Sequence, residues 1–560
     1  MRKTLFAFLA LAASPAWSDT LIENANGIEA DAAGHLHHFQ GLLIGDDGKV
    51  VRLLSAREPR AQAATIIDAQ GRTLMPGFID AHGHVMDLGF VALRLNLTGT
   101  RSIEDLQRRL KDYAATHRSD PWLIGFGWNQ ENWADKSFPK AEDIDKIVSD
   151  RPVVLERVDG HALVANSAAM KAAGVDPETK SPPGGAIKDG LFVDAARKLI
   201  DDAEPQATGP QMDTAFAKAQ DILHGFGVTA VGSMSTSLAD WNTFRRAGDR
   251  GTLQVRLMVY LLDDPAHMQA ALDPLKIIPR PTPWLYGDRL RAVGVKFFAD
   301  GALGSRGAWL KQAYSDAADV TGNRLHSDDQ LRRLEDRAAG RGFQIATHAI
   351  GDAANAQVIG AYEWLNSKYG QKRRWRIEHA QILDCADLPR IGRGQMIASM
   401  QPTHQTSDRL MAERRLGPVR LKCAYAWHSM LATGAKLAFG TDFPVESPNP
   451  FPGLSAAISR QDVNGQPPGG WFPGERVTLG QALSAYTRGG AYAGFADDRI
   501  GALEPGKWAD FILIEDDPTK LDAQQLARLR VDETWVAGKK VWSRFATDSE
   551  PQRVKRESPE

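Results

Sequence analysis

Asp80-Ala81-His82-Gly83-His84 sets one carboxylate and two imidazoles at alternate positions of a short run. On an extended segment, residues two apart face the same side, so Asp80, His82 and His84 point together. Two imidazoles so placed can reach one cation at about 2.0–2.1 Å. Spacing alone says little, because His35-Leu36-His37-His38 repeats it and reads there as surface or satisfied core. The chain has 14 histidines, so convergence is the question. His348 closes the strand-like run Gln344-Ile-Ala-Thr-His348, His379 closes Arg376-Ile-Glu-His379, and Asp442 closes Ala438-Phe-Gly-Thr-Asp442. Lys296 lies within another run, flanked by apolar residues. Four His and one Asp are metal-type ligands. A protonated lysine among cations would be repelled. Deprotonated and converted by carbon dioxide to a carbamate, it would bridge two of them.

The elements that must position these groups follow from the pattern of runs. Eight β-like segments stand out: Thr73–Ile79, Val228–Met234, Gln254–Leu262, Arg291–Phe298, Gly342–Thr347, Trp375–Glu378, Met396–Met400 and Lys436–Gly440. Helical stretches separate them; Asp328–Arg341, with Leu331 and Leu334 on one face, is an example. Eight is the number that closes a (β/α)8 TIM barrel, whose sites lie at the C-terminal ends of the strands. His82, His84, Lys296, His348, His379 and Asp442 would then share one cavity. The first crossover is far too long for one helix, so an insertion is expected at about 85–210, rich in Trp and ending in Pro182-Pro-Gly-Gly185. Both ends of the chain are strand-rich, and Gly41–Ile44, Asp46-Asp-Gly48 and Lys49–Leu54 read as a hairpin.

Composition narrows the class. The chain has 560 residues with 67 basic against 69 acidic, 43% apolar, which suits a large globular fold and argues against a nucleic-acid binder. Met1-Arg2-Lys3, an apolar run to Ala13 and the small-x-small Ala16-Trp17-Ser18 predict a cleavable signal peptide over residues 1–18. No Cys follows it and no later apolar stretch is long enough to span a bilayer, so no membrane anchor is expected and the protein is read as periplasmic or secreted. That compartment would permit Cys385 and Cys423 to pair without requiring it.

The motifs now assembled resemble the amidohydrolase superfamily, in particular its amidohydrolase-3 (YtcJ-like) branch. The resemblance rests on Leu74–His84, Val295–Arg306, Ala346–Asp352, Arg376–Ala380, Gly440–Val445 and Gly501–Asp510, and it spans nearly all of the chain after the signal. It implies a metal-dependent hydrolase of carbon–nitrogen bonds other than peptide bonds. It also implies a small β-sandwich formed by residues 19–72 and 498–545, beside a barrel over 73–497 and ahead of a polar tail at 546–560. Carried across residue by residue, His82, His84 and Asp442 would bind the more buried metal and His348 and His379 the second. Carboxylated Lys296 would bridge them. Two divalent ions are expected, zinc before iron, manganese or nickel. Asp442 would be the catalytic base, taking a proton from water activated as hydroxide and returning it to the leaving nitrogen.

Four further residues are candidate substrate contacts. His161 lies in Arg157–Asn166, which matches a motif of the family's insertion. Arg306 could hold a polar or anionic group. Trp128, with Trp133, could wall an apolar pocket or pack in a core. His404 follows the seventh run and so points near the mouth. Asp80, Asp300 and Asp352 read equally as acceptors that orient imidazoles or as turn and cap residues. The expected partner is a small amide, formamide or cyclic amide; relatives of this kind often form dimers, so a homodimer is the expected assembly. The alternatives are a catalytically silent periplasmic protein that binds metal or ligand, and a deaminase or isomerase on the same scaffold.

Overall fold

The computed structural model describes residues 19–58, 61–265 and 273–545. The expected signal peptide (1–18) and polar tail (546–560) lie outside the described residues.

Eight parallel strands form the central sheet: β1 (Phe78–Gly83), β2 (Val228–Thr236), β3 (Arg256–Leu262), β4 (Leu290–Phe298), β5 (Gln344–Ala349), β6 (Arg376–His379), β7 (Ile397–Met400) and β8 (Lys436–Phe439). Neighbours in sequence pair in order from β1 to β8. The seam between β8 and β1 is tied just past the strand end, where Asp442 N–H donates to the His82 carbonyl at 2.8 Å. The Asp80 carboxylate crosses the same seam and accepts from Thr441 N–H (3.1 Å) and Oγ1 (2.7 Å). Gly440 has to be glycine here: a Cβ would come within 2.6 Å of both Asp80 Oδ1 and His82 N. This is a (β/α)8 barrel, nearly closed, with further sheets built from the terminal segments.

One expected run is divided. Thr73–Pro76 pairs with Asn26–Ala30 and Phe511–Ile514 in a separate sheet, and the barrel begins at Phe78 rather than Thr73. Pro76 has no N–H to continue a ladder. Gly77 then lets the chain pass from one sheet to the other against Thr229, whose Cγ2 would lie 2.4 Å from any Cβ. The helix expected at Asp328–Arg341 runs Asp328–Ala339, with Ser327 and Gln330 as a capping box and Leu331 buried.

The terminal segments pack as two sheets. One joins Thr20–Glu23, Gly41–Ile44, Val50–Leu54 and Thr65–Asp68; the other joins Asn26–Ala30, Leu36–Phe39, Thr73–Pro76, Phe511–Ile514, Val531–Val536 and Lys539–Ser543. Ile22, Leu42, Leu74, Phe511, Leu513 and Trp535 form a common core. The expected hairpin is present, with Gly41 opposite Leu54. His37 and His38 stand exposed on the edge strand Leu36–Phe39. Arg256 on β3 and Asp510 fasten this unit to the barrel through a buried two-point pair at 2.6 and 2.9 Å.

The insertion has its own six-stranded sheet, from Leu95–Asn96 through Gly185–Lys188. Trp128 and Trp133 lie fully buried in its core, and their indole N–H groups donate to Leu155 O (2.7 Å) and Thr100 O (2.9 Å). Trp128 therefore packs the insertion and does not wall a substrate pocket; a sheet of short strands needs large side chains to fill the core against it.

Cys385 and Cys423 are joined, with Cα atoms 5.4 Å apart. The bridge fastens the loop after β6 to the segment before Trp427–Ala432. With the cysteines 38 positions apart in sequence, replacing both by Ser is expected to lower stability by roughly 4 kcal/mol in urea unfolding. An unchanged midpoint would show that the thiols are free in the folded protein.

Candidate metal centre at the barrel mouth

The strand ends bring the expected residues together. β1 carries His82 and ends one residue before His84, β4 carries Lys296, β5 carries His348, β6 ends at His379, and Asp442 follows β8 by three residues. Asp442 Oδ1 lies 3.3 Å from His82 Nε2 and 3.2 Å from His84 Nε2, and Oδ2 lies 4.0 Å from His379 Nδ1. Ring centroids separate His82 from His379 by 4.8 Å and His379 from His348 by 4.6 Å. Lys296 Nζ is 3.4 Å from His82 Nε2. His82, His379 and Asp442 offer ligand atoms all within 4.8 Å of one another.

Two residues of this cluster leave ordinary backbone geometry: φ is 73° at His379 and 60° at Asp442. Left-handed conformations are costly for residues with a Cβ and persist where the surroundings enforce them. At His379 the change ends the strict strand alternation, so His379 and the inward-facing Glu378 both serve the centre.

Two of the imidazoles are oriented from behind. His82 Nδ1 meets Glu378 Oε2 at 2.6 Å, which turns Nε2 inward. Glu378 in turn accepts from Arg376 Nε (2.7 Å) and Nη2 (3.1 Å), and Arg376 also donates to Tyr260, Ala81 and Ser399. His379 Nδ1 meets Gln401 Oε1 at 2.9 Å. Glu378, Arg376 and Gln401 were not among the residues singled out from sequence. The signal was available for the first two, since Arg376 and Glu378 are two apart on a barrel strand and must both face its interior. Of the three aspartates with two open readings, Asp80 braces the backbone of His82 and Thr441. Asp300 accepts three backbone N–H groups and also lies 3.4 Å from His348 Nε2. Asp352 accepts the Lys311 N–H at an exposed turn and has no part in the centre.

Electrostatics favour a cation. Burial holds the imidazoles of His82, His348 and His379 well below their ordinary pKa, so they are neutral with lone pairs to offer. Burial alone would raise the Asp442 carboxyl, but His82, His84 and His404 outweigh it and hold it below the usual range. Asp442 Oδ1 is buried and has no hydrogen-bond partner. A buried carboxylate oxygen without a hydrogen bond is costly, and a divalent ion fits the donor set around it. Burial also lowers the Lys296 ammonium to about 8, which brings the free amine within reach near neutral pH.

The four expected substrate contacts divide. His161 enters the mouth from the insertion, its ring 5.3 Å from that of His348 and its Nδ1 held by Asp194 Oδ1 at 2.9 Å. His404 also arrives, stacked on His379 at 6.0 Å. Arg306 does not serve as an open anion receptor: Asp316 engages its guanidinium at 3.0 and 3.2 Å, and Arg415 shares that carboxylate. Trp128 stays in the insertion core.

A barrel whose mouth gathers histidines, a lysine and an aspartate defines a metal-dependent hydrolase fold, and comparison with known proteins agrees. Residues 65–542 match the Amidohydrolase family model, and the chain belongs to that family. It is 31% identical to the putative amidohydrolase YtcJ of Bacillus subtilis, over 85% of this chain and 90% of the relative. It is 25% identical to the N-substituted formamide deformylase of Arthrobacter pascens, over 93% and 97% of the two chains. Among solved structures, an uncharacterized metal-dependent hydrolase from Pyrococcus horikoshii superposes with a TM-score of 0.73 at 27% identity, covering 90% of this chain and 99% of that one.

Proposed function

We propose that the protein is a metal-dependent amidohydrolase that cleaves a carbon–nitrogen bond of a small amide, formamide or cyclic amide. One observation carries the reading: the buried, unpartnered Asp442 Oδ1 set against two imidazoles at the C-terminal mouth of the barrel. His82, His84 and Asp442 would hold one ion, His348 and His379 a second, and carboxylated Lys296 would join them; zinc suits these donors first. Bound divalent ions would acidify a coordinated water and polarise the scissile carbonyl. Asp442 then accepts the water's proton and delivers it to the leaving nitrogen. His161, fixed through Nδ1 by Asp194, keeps Nε2 for the substrate. The match to a formamide deformylase along nearly its whole length supports an N-substituted amide.

Lys296 supports a carbamate through its burial and lowered pKa. Metal loading in isotopically labelled bicarbonate should yield a carbamate carbon resonance that Lys296→Met abolishes together with activity. An active enzyme without that resonance would leave Lys296 as an amine. We further propose a periplasmic or secreted location, supported by the basic and apolar start and by the Cys385–Cys423 bridge. Among the described residues no helix is long and apolar enough to cross a membrane.

Metal analysis of the purified protein, followed by a hydrolysis screen with amides, formamides and lactams, tests the function. Bound metal with turnover of at least one class is expected. Tightly held metal without any turnover would favour a binding protein on the same barrel.

A further inference from the structure

Helix α1 (Pro402–Leu416) starts directly after β7, so its first turn lies at the barrel mouth. His404 and Asp408 are four residues apart and share one face of it. His404 is 8% exposed, and its Nε2, 3.8 Å from Asp442 Oδ2, has no hydrogen-bond partner. Two carboxylates stand close by. Glu446, four residues beyond Asp442, accepts from Ser407 Oγ at 2.6 Å. Asp408 accepts from Gln381 Nε2 (2.9 Å) and the Tyr425 hydroxyl (3.0 Å). Both are held by neutral donors, and among the described residues no cationic side chain bonds either one. Arg157, which approaches from the insertion, is itself matched by Asp159.

Carboxylates in a partly desolvated wall cost free energy unless a cation offsets them. Asp442 already serves the scissile nitrogen under the proposed reaction. The unpartnered imidazole lies 3.8 Å from Asp442 Oδ2, with Asp408 on its own helix face and Glu446 bonded to Ser407 of the same helix. We propose that His404, Asp408 and Glu446 form a subsite for the amine half of the substrate, and that this half carries a second, positively charged nitrogen. The substrate class is then a monoacylated diamine. Water adds to the acyl carbon, the C–N bond breaks, and the released nitrogen takes a proton. The products are a carboxylate (formate, for a formamide) and a diamine that remains against Glu446 and Asp408 until it leaves. This assignment rests on the amidohydrolase reading above.

The test compares the metal-loaded enzyme on N-acetyl and N-formyl derivatives of a terminal diaminobutane and of butylamine, which differ by one ammonium. The cationic member of each pair should show kcat/KM about 10- to 100-fold higher, with the advantage shrinking as salt rises. Glu446→Gln, which keeps an acceptor for Ser407, and Asp408→Asn should each bring the ratio toward one. Parity or a preference for the neutral member in the wild type, or a ratio unchanged in both variants, would overturn the subsite. If no amide is hydrolysed, the amidohydrolase reading falls, and calorimetry still decides the subsite. Diaminobutane binding more tightly than butylamine, and losing that margin in Glu446→Gln, supports it; equal binding of the two overturns it.

Discussion

Asp442→Asn is expected to lower kcat by about a hundred- to ten-thousand-fold, the range for loss of a positioned proton-transfer group. The substitution keeps the shape and one acceptor oxygen, so His82 and His84 retain a neighbour at the same distance and the seam hydrogen bond from the backbone N–H at 442 to His82 O is untouched. What disappears is the negative charge and the capacity to take a proton. Metal content should fall without vanishing, because His82, His348 and His379 remain neutral donors and His84 keeps its place beside residue 442. The metal-free variant should be no less stable than the metal-free parent, since it no longer buries an unpaired charged oxygen. Metal stoichiometry, single-turnover kinetics and denaturant midpoints measure the three quantities separately. Near-native kcat at full metal content would remove Asp442 as the base, and destabilisation of the metal-free variant would remove the argument from the orphaned oxygen.

The barrel and its mouth were legible because alternation and strand ends are local properties. His82 and His84 announce themselves through a spacing of two, and His348, His379 and Asp442 through their place at the close of apolar runs. The division at Gly77 was not legible: Thr73–Ile79 is continuous in its β character, and only the partners Asn26–Ala30 and Phe511–Ile514, distant in sequence, draw Thr73–Pro76 out of the barrel. The same holds for Trp128. A large aromatic near a predicted mouth reads alike whether it lines a cavity or fills the core of an insertion, and the insertion's sheet settles it. Arg306 shows a third limit, because its partner Asp316 lies ten residues away with no periodic relation that would announce the pair. Glu378 differs from these. It sits beside an expected ligand and two residues from Arg376, and strand alternation alone places that charged pair inside the barrel.

That inward pair gives the second large effect. Arg376→Met should destabilise the protein by about 3–5 kcal/mol, because it leaves Glu378 charged and buried with its two guanidinium bonds removed. Tyr260 and Ser399 lose a donor in the same step, and both are buried. The cost comes mainly from stranding the partner. Replacing Glu378 by Leu in the same chain should therefore recover much of the stability, as matched apolar substitution of buried ion pairs does elsewhere. Metal affinity should move the other way. His82 Nδ1 loses its acceptor only when Glu378 goes, so the double variant should bind metal about 10- to 100-fold more weakly than the parent while folding better than Arg376→Met. Denaturant unfolding of the metal-free proteins and metal titration of the folded ones read the two effects independently. If Glu378→Leu restored neither stability nor weakened metal binding, the Arg376–Glu378–His82 chain would be an incidental contact. If stability returned and affinity fell, the chain would be the device by which a buried cation at the base of the barrel fixes the direction of a metal ligand at its mouth.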